Sequence, residues 1–247
     1  MTNLLAAELL KLRTLRTFWG FLIVTLGLAA LVVSGNIGAE PADDRLETEY
    51  QYRIVLDGAF TTGILALLLG MLLVTNEFRH GTITRTLLVT PRRDRLLAVK
   101  LVTGAGVGAG LMAIAFVVTA TVALIWLSIL DVPLEPGEAA SAAGRAFVGV
   151  ALAGLLGAAL GGAVHSQVGA LVGTLVWLFV AEPLVWVLLG LLDLDSVAEY
   201  LPGAWVLGIA ESGDERKAFP LYLAVGLGWA ALAALLAVLR TGRRDIT

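Results

Sequence analysis

At 247 residues the chain has room for one or two soluble domains, but 58% of it is hydrophobic, 15% is charged and the mean hydropathy is +0.89. That composition excludes an ordinary soluble globule. The absence of cysteine excludes a disulfide framework, a thiolate metal site and a cysteine nucleophile, and the formal net charge of −3 hides how charge is sorted between loops.

Six apolar runs are long enough to cross a bilayer. They predict an all-α, polytopic membrane protein: one transmembrane domain over residues 1–247, with six spans, an N-terminal interfacial helix and a short cytoplasmic helix between spans 2 and 3. Residues 3–16 come first. Leu5, Leu9, Leu12 and Leu15 recur at helical spacing with Glu8, Lys11, Arg13 and Arg16 between them. That pattern predicts a basic amphipathic helix lying in the interface or, on periodicity alone, a helical extension of the first span. The first span covers about 18–34, with Trp19 as an interfacial anchor. It reads as retained, because it is long for a signal peptide and ends in a poor cleavage match, Val33-Ser34-Gly35-Asn36.

An acidic loop over 35–54 leads to the second span, about 55–75, which carries Asp57 near its outer end. The polar stretch Asn76 to Arg95 follows, with arginines at 79, 85, 92, 93 and 95. The third apolar run extends from Leu96 to Leu130, giving a span of about 97–130. As a helix the run is roughly 52 Å long against a hydrocarbon core of about 30 Å. Its first turns, including Lys100, are therefore expected in the headgroup zone, where a lysine can snorkel.

A loop with two prolines and three acids, 131–141, precedes the fourth span at about 145–164. The polar turn His165-Ser166-Gln167 leads to the fifth, about 168–192, which holds Glu182-Pro183 near its middle. The connection 193–220 is too long to be idle. Its apolar pieces around Tyr200-Leu201-Pro202 and Trp205-Val206-Leu207 predict short helices dipping into the outer interface. The sixth span, about 221–239, ends in the basic tail Arg240 to Thr247.

Twelve Lys and Arg residues fall on the side of the termini and the 76–95 stretch, against five on the other side. The positive-inside rule then places both termini in the cytoplasm.

Chemistry-bearing motifs are few. Gly104, Gly106, Gly108 and Gly110 alternate with Ala and Val inside an apolar helix, so they lack the strand that a phosphate loop needs. Their small-xxx-small spacing, and that of Gly154, Gly157 and Gly161 on the fourth span, predicts close helix packing. No G-x-x-x-x-G-K-[ST] occurs, so no Walker-type nucleotide site belongs to this chain. His80 and His165 both fall at span ends without a metal-ligand partner, and no catalytic or metal constellation emerges. Glu182 is the one charge near mid-membrane, where a carboxylate is either a pathway residue or a structural hydrogen-bonding group beside a proline-freed carbonyl. The structural role is favoured because no second buried ionisable partner is evident, and Asp57 lies close enough to the interface to be solvated.

Within the polar stretch, Thr82 to Val89 can form a short helix with Ile83, Leu87 and Leu88 on one side. The restriction on a residue before proline ends it at Thr90, and Pro91 suits the first turn of the next helix. An apolar knob flanked by Arg85, Arg92 and Arg93 fits docking to an acidic partner surface, or a basic loop on anionic headgroups.

These features together resemble the permease subunits of ABC exporters of the ABC-2 type, notably the six-span permeases common in bacteria. The resemblance rests on LLAAELLKLRTLRTFWG at the start, NEFRHGTITRTLLVTPRRDRLLAVKL after the second span, Glu182-Pro183 in the fifth, and Arg244-Asp245 near the end. It implies a multi-pass protein of the bacterial plasma membrane with no catalysis of its own. ATP and Mg would be bound by a separate ATPase subunit, and a second permease subunit, identical or different, would pair with this one. It also implies that Glu77, Phe78 and Arg79 join Ile83, Arg85, Leu87, Leu88, Arg92 and Arg93 in docking that ATPase through a coupling helix. No nucleic-acid partner is expected. The alternatives are an ion-coupled secondary transporter centred on Glu182, although no matching pair of interrupted helices is visible, or a membrane scaffold.

Overall fold

In hydrocarbon no water is available to bond backbone amides, so a spanning segment must satisfy them internally as a helix. The computed structural model describes residues 2–14, 16–39, 48–82, 93–131, 136–164, 166–204 and 218–242, and all regular structure among them is helical. In chain order these are α1 (Thr2–Thr14), α2 (Arg16–Ala39), α3 (Thr48–Arg79), α4 (Arg93–Ile129), α5 (Pro136–Val164), α6 (Gln167–Val176) running through a π-helical turn (Trp177–Ala181) into α7 (Glu182–Leu191), the short α8 (Asp195–Ala198), and α9 (Ala218–Gly242). Six segments are long and apolar enough to cross a membrane: Arg16–Ala39, Gly58–Arg79, Arg95–Ile129, Ala140–Val164, Gln167–Leu191 and Phe219–Arg240.

The helices exceed the apolar runs at several ends. α3 begins at Thr48, within the acidic loop expected from sequence. α5 begins at Pro136, so Arg145, expected to open the fourth span, lies about 13 Å along the helix. Proline suits a first helical turn, and the alanines that follow favour helix, which explains the longer start. Arg145 donates weakly to Ser141 Oγ (3.5 Å), while its Nε and Nη2 are buried without a hydrogen-bond partner.

The second and fourth spans form the centre: 72% and 67% of their most apolar windows are buried, against 6% for the fifth span. Glycine makes that centre possible. A Cβ at Gly157 would collide with the Leu67 carbonyl, one at Gly154 with the Gly104 carbonyl, and one at Gly161 would stand 2.7 Å from the Met71 carbonyl oxygen. Gly104 and Gly108 meet α5 in the same way. Gly106 and Gly110 lie on another face, where a Cβ would meet nothing within 4 Å, so they pack against no other helix here. Buried threonine hydroxyls are satisfied one turn back: Thr62 donates to the Gly58 carbonyl (2.7 Å), Thr75 to Met71 (3.0 Å) and Thr103 to Val99 (2.8 Å).

α1 is a helix separate from α2. Its orphan C-terminal carbonyls are capped by side chains: Thr14 Oγ1 donates to Lys11 O (2.8 Å) and the Trp19 indole to Arg13 O (3.0 Å). Leu12, nearly fully buried, anchors α1 in a cluster with Leu69, Leu73, Val107 and Leu111.

Candidate functional site

The end of α3 shows why the chain reads Arg79-His80-Gly81-Thr82. Gly81 takes the left-handed conformation (φ +64°) that costs glycine nothing, Thr82 N donates to the Glu77 carbonyl (3.0 Å) and Gly81 N to Phe78 (3.3 Å). This pair of reverse bonds is a Schellman cap. It stops the helix and turns the chain sharply into the connector towards α4.

Directly inside that cap lies a buried cluster of four charges from three helices. The Lys11 ammonium bonds Glu8 Oε1 (2.7 Å) and Glu77 Oε1 (2.9 Å). Lys100 Nζ lies 2.9 Å from Glu77 Oε1 and 3.6 Å from Glu8 Oε2, ion pairs by distance rather than aligned hydrogen bonds. Glu8, Glu77 and Lys100 are 5%, 7% and 2% exposed. Isolated charges cannot be held that deep; two acids alternating with two bases can. Glu77 Oε2 remains buried without a hydrogen-bond partner. Burial works against the Lys11 ammonium, but its hydrogen bonds and charge contacts with Glu8 and Glu77 outweigh this and hold its pKa above the ordinary lysine value of 10.5.

One expectation is corrected here. Lys100 does not snorkel to the headgroups; it turns inward because two carboxylates wait there. The Glu77 carboxylate, expected to help dock a partner, is engaged in the same cluster. Of the other residues expected to dock a partner, Arg79 is exposed and donates to Gln167 Oε1 at the start of α6 (3.0 Å), and Phe78 is half-buried. Arg93 opens α4. Ile83, Arg85, Leu87, Leu88 and Arg92 lie outside the described residues.

Sequence reasoning passed over Glu8 and Lys100 as site residues, although a signal existed. Glu8 falls four residues before Leu12, on the helix face that is buried, and Lys100 falls four residues after buried Leu96. A charge set into the buried stripe of a helix needs a partner.

Part-way along the fifth span (Gln167–Leu191) Glu182 is also buried, 5% exposed. Its Oε2 accepts from the Trp177 indole (2.7 Å), and both carboxylate oxygens accept from Gly203 N (2.9 Å each). A Cβ at Gly203 would lie 2.6 Å from Glu182 Oε1, so glycine is what lets that backbone approach. The π-helical turn ends at Glu182, and Pro183, which has no N–H, follows. The expected partner was a neighbouring helix; the donors found are the residue's own helix and the folded-back loop. That loop is tied to α9 by Trp229 Nε1 donating to Tyr200 O (3.0 Å) and Tyr222 OH donating to Glu199 (2.8 Å). The short α8 precedes the first apolar piece of the loop, Tyr200-Leu201-Pro202, which forms a turn with Leu201 and Pro202 half-buried rather than the expected short helix, while Trp205, Val206 and Leu207 lie outside the described residues. Asp57 lies in α3, its side chain outside the described residues. Among the described residues no group of acids and histidines could hold a metal.

The deciding comparison is with protein families. A family model described as an ABC-2 family transporter protein matches residues 4–136, more than half the chain. The chain belongs to the ABC-2 transporter family. No curated protein matches it. The matched stretch of this ABC-2 chain contains α1, the connector and all four charges of the cluster; Glu182-Pro183 and Arg244-Asp245 lie beyond it. Family and spans together make the chain a multi-pass membrane transport protein of the permease kind.

Proposed function

We propose that this chain is the membrane subunit of an ABC exporter, moving its substrate outward with energy from ATP hydrolysed in a separate subunit. Both termini and the 76–95 connector face the cytoplasm of a bacterium, and a second permease subunit completes the pathway. The observation that carries this reading is the Glu8–Lys11–Glu77–Lys100 cluster. It fastens the two ends of the connector to each other and to α1. A force applied by a partner at Ile83, Leu87 and Leu88 is then delivered to α1, α3 and α4 as one body rather than dissipated in a loose loop. The donors seen to hold Glu182, a neutral indole and loop backbone, favour a structural role for it over an ion relay.

The test is co-purification with, and stimulation of, a separately encoded ATPase in proteoliposomes. Leu87→Asp is expected to abolish co-purification while leaving the permease folded and monodisperse. Substrate transport by the permease alone, without any ATPase, overturns the reading.

A further inference from the structure

Between the second, fourth, fifth and sixth spans lies a cavity of about 370 Å³. That is within the ~300–1,000 Å³ typical of small-ligand sites. Its walls are hydrocarbon from Leu67, Leu156, Leu160 and Leu232, and the side chains on them with a polar group are Thr174, Trp177 and Trp229. The Trp177 N–H is already committed to Glu182 and the Trp229 N–H to Tyr200 O, so the interior has little to offer a headgroup. Gly173 and Leu236 are exposed where they line it, and both stand on helices of spanning length. The cavity thus opens sideways, towards acyl chains rather than water.

At one end the wall reaches the turn between the fourth and fifth spans, through Val164 and Gly169. Two arginines from other helices close on that turn. Arg240 Nη1 donates to Ala163 O (2.9 Å), and Arg79 Nη1 to Gln167 Oε1 (3.0 Å). Each guanidinium has five N–H donors, and among the described residues neither has a carboxylate partner. A laterally open apolar cavity with two cations near one end, neither with a counter-ion among the described residues, is complementary to an anionic amphiphile: hydrocarbon inside, phosphate outside. We propose that this cavity holds one acyl chain of an anionic phospholipid, from the leaflet at the end of the bundle that carries Arg79 and Arg240, with the phosphate between those two guanidiniums. A zwitterionic lipid of the same chain length fits the cavity equally, but its ammonium cancels the attraction at that end. The site does not depend on coupling to an ATPase.

Native mass spectrometry of the full chain, titrated with phosphatidylglycerol or with phosphatidylcholine of identical acyl chains, tests this. The expected result is one retained phosphatidylglycerol, preferred by roughly tenfold or more, as two headgroup-level cations provide. Arg79→Gln with Arg240→Gln should remove the preference and leave phosphatidylcholine binding unchanged. Gly173→Phe, at a position where a Cβ meets nothing within 4 Å, should fill the cavity and reduce both lipids. Should Gly173→Phe fail to fold, Leu236→Trp performs the same test. Equal retention of the two lipids by the unaltered chain overturns the proposal, as does an undiminished preference in the double arginine variant or undiminished retention in a folded cavity-filled variant.

Discussion

Two sites in the bundle bury carboxylates by opposite means. At the connector end, Glu8 and Glu77 are neutralised by lysines from α1 and α4, so the cluster joins helices that are distant in sequence. Within the fifth span, Glu182 is held by neutral donors, an indole on its own helix and backbone amides of the following loop. A charge-paired cluster gathers separate elements into one body and is costly to break at any of its buried members. A carboxylate held by neutral donors pins one loop locally and tolerates replacement by another acceptor. The difference supports the long-range mechanical role proposed for the connector end and a local fastening role for Glu182.

The sharpest way to break this contrast is Lys100→Met. It leaves Glu8 and Glu77 buried with only the half-exposed Lys11, and should cost about 3 kcal/mol. The readout is thermal or denaturant unfolding in detergent. Adding Glu77→Gln should restore part of that loss, because the stranded charge is gone; a double variant that loses as much as the two single changes added together would show that the pair is not coupled.

A smaller effect is expected at Glu182. Glu182→Ala leaves the Trp177 and Gly203 N–H groups unpaired, at about 2 kcal/mol. Glu182→Gln keeps an acceptor oxygen and should lose less than half as much. If Gln proves as damaging as Ala in the same unfolding measurement, the negative charge itself matters there and the contrast collapses.

The smallest effect belongs to Lys11→Met, since Lys11 is 46% exposed and its pairs are screened. Its raised pKa sets the sign of the pH dependence. The lysine gains protons on folding, so its stabilisation is fully present below the ordinary value of 10.5 and is lost as pH rises through the higher folded value. The stability difference between the native chain and Lys11→Met should therefore stay flat from about pH 6 to 9 and shrink only in strong alkali. A difference that vanishes near neutral pH would assign the titration to another group.

Much of the fold was legible from the sequence alone. Spanning is a local property, set by the length of an apolar run against the thickness of the bilayer, and all six spans follow from it. The cap at Gly81-Thr82 is local too, and falls inside a stretch on which the family resemblance rests. Orientation of the polar side chains was not legible, because it is settled by partners elsewhere. Lys100 could have snorkelled; it is buried because Glu8 on α1 and Glu77 on α3 converge on it, and no window around residue 100 contains both. Glu182 similarly found a backbone amide 21 residues away. Small-xxx-small spacing put Gly104 and Gly106 on an equal footing, and only packing against α5 separated them. Hydropathy thus determined what crosses the membrane, whereas tertiary structure decided which charges meet, since the cost of burying a charge depends on what lies opposite it.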